Sequence, residues 1–235
     1  MAWFSCASSQ IESQSTDTLT TEPILNGVEW VLDWDRTGTE NHADGSWSVD
    51  TDRGYRVTVN TGWIITSAIS LVPCTLGEDT GLFSWLGVLW GRSAWAAHAP
   101  FSDGSMLELS AKEPLTPATT VVLPNLEFSK TQYCSSYWLL ARGGPGTAAE
   151  HTSLFLDGTW SKKGQSGTLF IDTDFTRARI ADLDPISVTQ RSPRAVLTRE
   201  LSTAFDGIEF TSDNDYSVAW SIISNLTDHA QLRLE

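Results

Sequence analysis

Val28, Trp30, Leu32 and Trp34 alternate with Glu29, Val31 and Asp33, and that period of two predicts a half-buried strand. Residues 35–46 are polar and hold two glycines, so they read as a loop. Residues 47–50 open the next strand, which resumes with Tyr55, Val57 and Val59 against Arg56, Thr58 and Asn60. Thr61-Gly62 punctuates the pattern before residues 63–72, which are β-branched and nearly continuous. Two runs separated by a glycine-containing pair predict a hairpin whose second strand is buried on both faces. Trp30, Trp34 and Trp63 all lie within strand patterns and are expected in the core.

The middle of the chain changes character. Leu82, Trp85, Leu86, Leu89 and Trp90 fall on one helical face, so residues 82–97 read as a short helical or irregular excursion. Residues 106–109, 119–128 and 132–141 read as strands, with Pro124 confining the second to an edge or a bulge. In residues 152–160, Leu154, Leu156 and Gly158 take one side and Phe155, Asp157 and Thr159 the other. Lys162-Lys163-Gly164 turns that strand towards residues 167–172, a second hairpin. Residues 178–183 and 186–190 are weaker strands divided by Asp184-Pro185, and residues 197–205 fit a short helix. Asp213, Asn214 and Asp215 precede an apolar face of Val218, Ala219, Ile222, Ile223 and Leu226, which is how a capped helix begins. A last strand alternates over residues 230–234.

About ten short strands with one or two short helices, and no alternation of strand with helix, predict a mainly β fold. The expected architecture is a β-sandwich, immunoglobulin-like or jelly-roll-like, over residues 24–235 as a single domain. Residues 1–23 read as a disordered tether.

Charge narrows the partners. Lys and Arg total 15 against 29 Asp and Glu, a formal charge of −14, which repels nucleic-acid phosphates and anionic lipid headgroups. No stretch approaches the roughly 20 apolar residues of a membrane span. Residues 1–4 are an apolar stub followed at once by Cys6 and a polar run. This order is how a bacterial lipoprotein begins when most of its signal is missing, which would make Met1 a misplaced start and Cys6 the acylation site; the alternative is a frayed terminus. A lipid anchor would then be the chain's one link to a membrane. Cys74 and Cys134 lie at strand-like segments, and in an exported β domain they are expected to form one disulfide bracing the two sheets. The alternative is a pair of reduced, buried thiols.

Candidate chemistry is sparse. His42, His98, His151 and His229 match no HExxH pattern, and no cysteine pair has zinc-finger spacing. Asp33, Asp35, Glu40 and Asp44 could offer oxygens to calcium, as could Asp213, Asn214 and Asp215, but neither set follows the EF-hand series. There is no GxSxG elbow, P-loop or GxGxxG, so nothing argues for catalysis. Trp85, Trp90 and Trp95 are spaced five residues apart in the irregular segment, where exposed rings could stack on sugars, the alternative being that they fill the core.

The order GYRVTVNTGWIITSAISLVPC (residues 54–74), NLEFSKTQYCSSYWLL (125–140), SLFLDGTW (153–160) and FDGIEF (205–210), leading to Asn225-Leu226, resembles a group of exported bacterial lipoproteins. That group is itself similar to the periplasmic protein of methanobactin operons and its copper-binding relatives. The resemblance spans most of residues 25–235 and implies a secreted β-sandwich with copper held by histidines beside an oxidised tryptophan. The matching positions are His98 with Trp95, then His42, although only one histidine stands between Trp95 and Phe101. The expectation is a non-enzymatic exported binding protein of the periplasm, outer membrane or cell surface, taking copper or another small ligand. A carbohydrate-binding or adhesion module using Trp85, Trp90 and Trp95 is the alternative, and a hydrolase is third.

Overall fold

A computed structural model describes residues 27–74, 106–125, 132–147, 149–187, 194–211 and 216–235. The tether with Cys6, the segment 82–97 and the acidic cap at Asp213, Asn214 and Asp215 lie outside these residues. In chain order the strands are β1 (Glu29–Asp35), β2 (Glu40–Asn41), β3 (Trp47–Asp50), β4 (Arg56–Pro73), β5 (Met106–Pro114) and β6 (Val121–Val122). They continue with β7 (Gln132–Leu140), β8 (Leu154–Lys162), β9 (Gln165–Thr173), β10 (Arg177–Ser187), β11 (Arg194–Glu200), helix α1 (Tyr216–Asp228) and β12 (Gln231–Leu234).

Two sheets result, and the fold is mainly β and sandwich-like. The smaller runs β12-β11-β1-β6, with β1 and β11 parallel along Glu29↔Arg194 to Asp35↔Glu200. The larger is organised by β4, an 18-residue strand that serves two sub-sheets in succession. Its first half pairs with β3 on one edge and β8 on the other. Its second half pairs with β5 and β7. Thr61-Gly62 therefore does not turn the chain, as the glycine suggested. Instead the register slips between Val59 and Thr61, and again between Thr66 and Ala68. Each slip is a bulge, and one extra residue moves the following side chains to the opposite face. Val57, Val59 and Ile64 face one core, and Ile69 and Leu71 face another.

Close backbone approach accompanies the first bulge. A Cβ on Gly158, in the facing strand, would collide with the carbonyl oxygen of Thr58, a backbone atom that no rotamer change can move. Gly158→Ala is expected to cost about 1–3 kcal/mol, read as a lowered denaturation midpoint.

The hairpin of β8 and β9 forms as its sequence predicts. Lys163 and Gly164 both have positive φ (49° and 81°), the conformation of a two-residue primed turn. Three other expectations change. Residues 197–205 are not helical: β11 takes up residues to Glu200, because Ala195 and Leu197 alternate inward beside Trp30 and Leu32. β10 is one strand through Asp184-Pro185, with irregular register between Asp182 and Ile186. Of the strand expected over 119–128, the described part, residues 119–125, forms a strand at Val121–Val122.

The interior is divided. Trp30, Leu32, Ala195 and Leu197 of the small sheet meet Ile69, Leu71, Tyr133 and Trp138 of the large one in the first apolar cluster. The second gathers Trp47, Val57, Leu156, Trp160, Leu169 and Phe205 under α1, whose Val218, Ala219, Ile222, Ile223 and Leu226 form the face the sequence predicts. Between the clusters lies a polar layer. Arg199 follows Leu197 and precedes Leu201, Glu113 lies between Ala111 and Leu115, and Thr66 follows Ile64; in each strand the cluster changes across that position. Arg199 and Glu113 are fully buried. Arg199 Nε donates to Glu113 Oε2 at 3.2 Å, and Nη2 donates to Thr66 Oγ1 at 2.9 Å. Thr66 donates in turn to Glu113 Oε1. Arg199 Nη1 donates to the Leu226 carbonyl (2.9 Å) and Trp138 Nε1 to that of Thr227 (3.2 Å), which satisfies two orphan carbonyls at the end of α1.

Candidate functional site

The cysteines pair. Cys74 and Cys134 form a disulfide with Cα atoms 4.7 Å apart. It does not join the two sheets as expected. It links the end of β4 to the start of β7, adjacent strands of the larger sheet, where Pro73 pairs with Tyr133.

His42 lies between β2 and β3, and its Nε2 is 2.8 Å from Ser48 Oγ, which is 2.8 Å from Thr58 Oγ1. The carboxylates around it are engaged separately. Glu40 pairs with Arg56, and Asp33 accepts from Thr120 Oγ1 at 2.7 Å. Asp44 accepts from both the hydroxyl and the backbone N–H of Ser46, which hold its carboxyl below the ordinary aspartate range. The backbone N–H of Thr37, bonded to Asp35, lowers that carboxyl in the same way. Four acids near in sequence thus make four separate contacts. Among the described residues no group of three or more His, Cys, Asp or Glu side chains could hold a metal. His98 and Trp95, the expected partners of His42, lie outside the described residues, as do Trp85 and Trp90.

An aromatic surface forms elsewhere. Because the bulge at Asn60 reverses the facing of β4, Trp63 leaves the series of Val57 and Val59 and lies half-buried on the outer face, not in the core. Its neighbour across the ladder is Phe155, whose ring is nearly parallel to the indole (20°) at 5.8 Å between centroids. Phe155 meets Phe170 of β9 edge to face at 5.9 Å, and Phe170 is 57% exposed. On the other side Lys112 of β5 holds its ammonium 4.7 Å from the centre of the Trp63 ring. Asp157 and Asp172 share this face, opposite Phe170 and Phe155 in the register. The result is a diagonal band of rings across β4, β8 and β9, with a cation at one end and carboxylates near the other. Such a band offers apolar contact to a flat ligand and polar groups beside it.

Sequence reasoning missed this surface. Its signal was Phe155, a large aromatic on the side of β8 that also carries Asp157 and Thr159.

The class so defined is a disulfide-braced, mainly β protein of two sheets with an aromatic outer face. No family model, curated protein or solved structure matches the chain. Among the described residues no helix is long and apolar enough to cross a membrane.

Proposed function

We propose that the protein is an exported binding module that holds a carbohydrate against the outer face of its larger sheet, and that it is not an enzyme. The observation that carries this reading is the band Trp63–Phe155–Phe170, aromatic surface left open on a sheet whose other face is already packed. Sugar rings present C–H faces that pack on aromatic rings, while Asp157 and Asp172 stand ready to accept hydroxyl hydrogen bonds. The disulfide supports export, because such bonds persist in oxidising compartments. The periplasm, outer membrane or cell surface is the compartment this reading assigns, with Cys6 as the residue a lipid anchor would use.

Calorimetric titration of the disulfide-intact protein with neutral and acidic oligosaccharides tests it. Trp63→Ala is expected to weaken binding at least tenfold, about 1.4 kcal/mol, with little change in thermal midpoint. Absence of binding by every glycan, or a Trp63→Ala variant that binds like the parent, overturns the reading. Metal analysis of protein purified with copper present separates it from the copper alternative. One equivalent of copper that disappears in His42→Ala would replace it.

A further inference from the structure

Resting on that carbohydrate reading, we infer that the bound glycan carries a single acidic sugar, and that Lys112 is the residue that selects it. Lys112 is exposed, and its ammonium lies over the Trp63 ring. Among the described residues it has no carboxylate partner, although the chain carries a formal charge of −14. Arg53, Arg56, Lys162, Arg177, Arg194 and Arg233 each reach an acid instead. An ammonium outside any ion pair keeps its charge available to a ligand lying beside the ring, where a lysine already in an ion pair would have to give up its partner.

The band also has direction. Lys112, Trp63, Phe155 and Phe170 stand on β5, β4, β8 and β9, which are successive neighbours in the sheet. Three interstrand steps make the band about 14 Å long, room for an oligosaccharide and not one ring. A carboxylate at the Lys112 end meets a cation. At the Phe170 end it would meet Asp157 and Asp172, of which Asp172 already accepts a hydrogen bond from Thr152 Oγ1 at 2.8 Å. That end suits neutral sugars whose hydroxyls donate. The polarity therefore favours one terminal acidic unit over a polyanion, which would place charge along the whole band and against the net charge of the protein.

The test compares xylotetraose with the same oligosaccharide bearing one terminal glucuronate, and lactose with sialyllactose, by calorimetric titration of the whole protein. In at least one pair the acidic member is expected to bind at least tenfold tighter at low ionic strength, with the advantage shrinking as salt is added. Lys112→Gln should abolish that advantage, so that the acidic and neutral members of a pair bind alike, and Lys112→Arg should retain it. Equal binding within both pairs, an advantage that survives Lys112→Gln, or tighter binding of polygalacturonate than of the singly acidic glycans overturns the inference while the carbohydrate reading stands. Failure of every glycan, neutral and acidic, overturns both.

Discussion

Replacing Arg199 with Met is expected to cost about 3–5 kcal/mol, the penalty for leaving a buried carboxylate without its cation. Glu113 would lose the guanidinium, Thr66 one of its two contacts, and the Leu226 carbonyl its donor, all in a layer closed to water. Glu113→Leu alone should be comparably damaging, because it strands the guanidinium instead. The double variant Arg199→Met/Glu113→Leu is expected to be more stable than either single one, since two apolar side chains in a dry layer leave no charge unpaired. Chemical denaturation followed by circular dichroism reads all three. A loss below about 1 kcal/mol in both single variants would show that the layer is open to water. Should the single variants fail to fold, a folded double variant would still report the coupling.

The second large effect concerns the cystine. Cys74 and Cys134 are 60 residues apart, and closing a loop of that length restricts the unfolded chain enough to contribute about 4 kcal/mol in the chain-entropy treatment. Stabilities of about 5–15 kcal/mol are typical for natural domains, so this one bond is expected to supply a large share. The variant Cys74→Ala/Cys134→Ala should show a denaturation midpoint lowered accordingly, and reductant should lower the midpoint of the parent protein but not of the variant. A paired variant within about 1 kcal/mol of the parent would count against the entropic account and would remove the support this bond lends to export.

Where the pattern is local, the sequence predicts the fold well. The β8–β9 hairpin follows from a two-residue turn between alternating runs, and α1 follows from an apolar face at helical spacing. The errors arise where a single residue or a distant partner decides. Reading Tyr55, Val57 and Val59 forward with strict alternation puts Trp63 in the core, but the extra residue at the bulge reverses that parity, and no periodicity reports a bulge in advance. Residues 197–205 look helical because Arg199 and Glu200 break the apolar alternation. Arg199 is tolerated inside a strand only because Glu113, 86 positions earlier in the chain, meets it there. Of the expected ligand residues, His42 is placed and bound to Ser48, while Cys6, Trp85, Trp90, Trp95 and His98 lie outside the described residues. The aromatic band was hidden for the reason Trp63 was: its rings come from three strands that only the register brings side by side.

The parallel pairing of β1 with β11 bears on how the chain acquires its structure. The first strand cannot complete its side of the sandwich until residues near 194–200 have been synthesised, and the closing strand at 231–234 comes later still. Contacts so far apart along the chain make for slow assembly. A polypeptide threading through a narrow pore from its amino end would therefore stay uncollapsed on that side until residues 194–234 had passed.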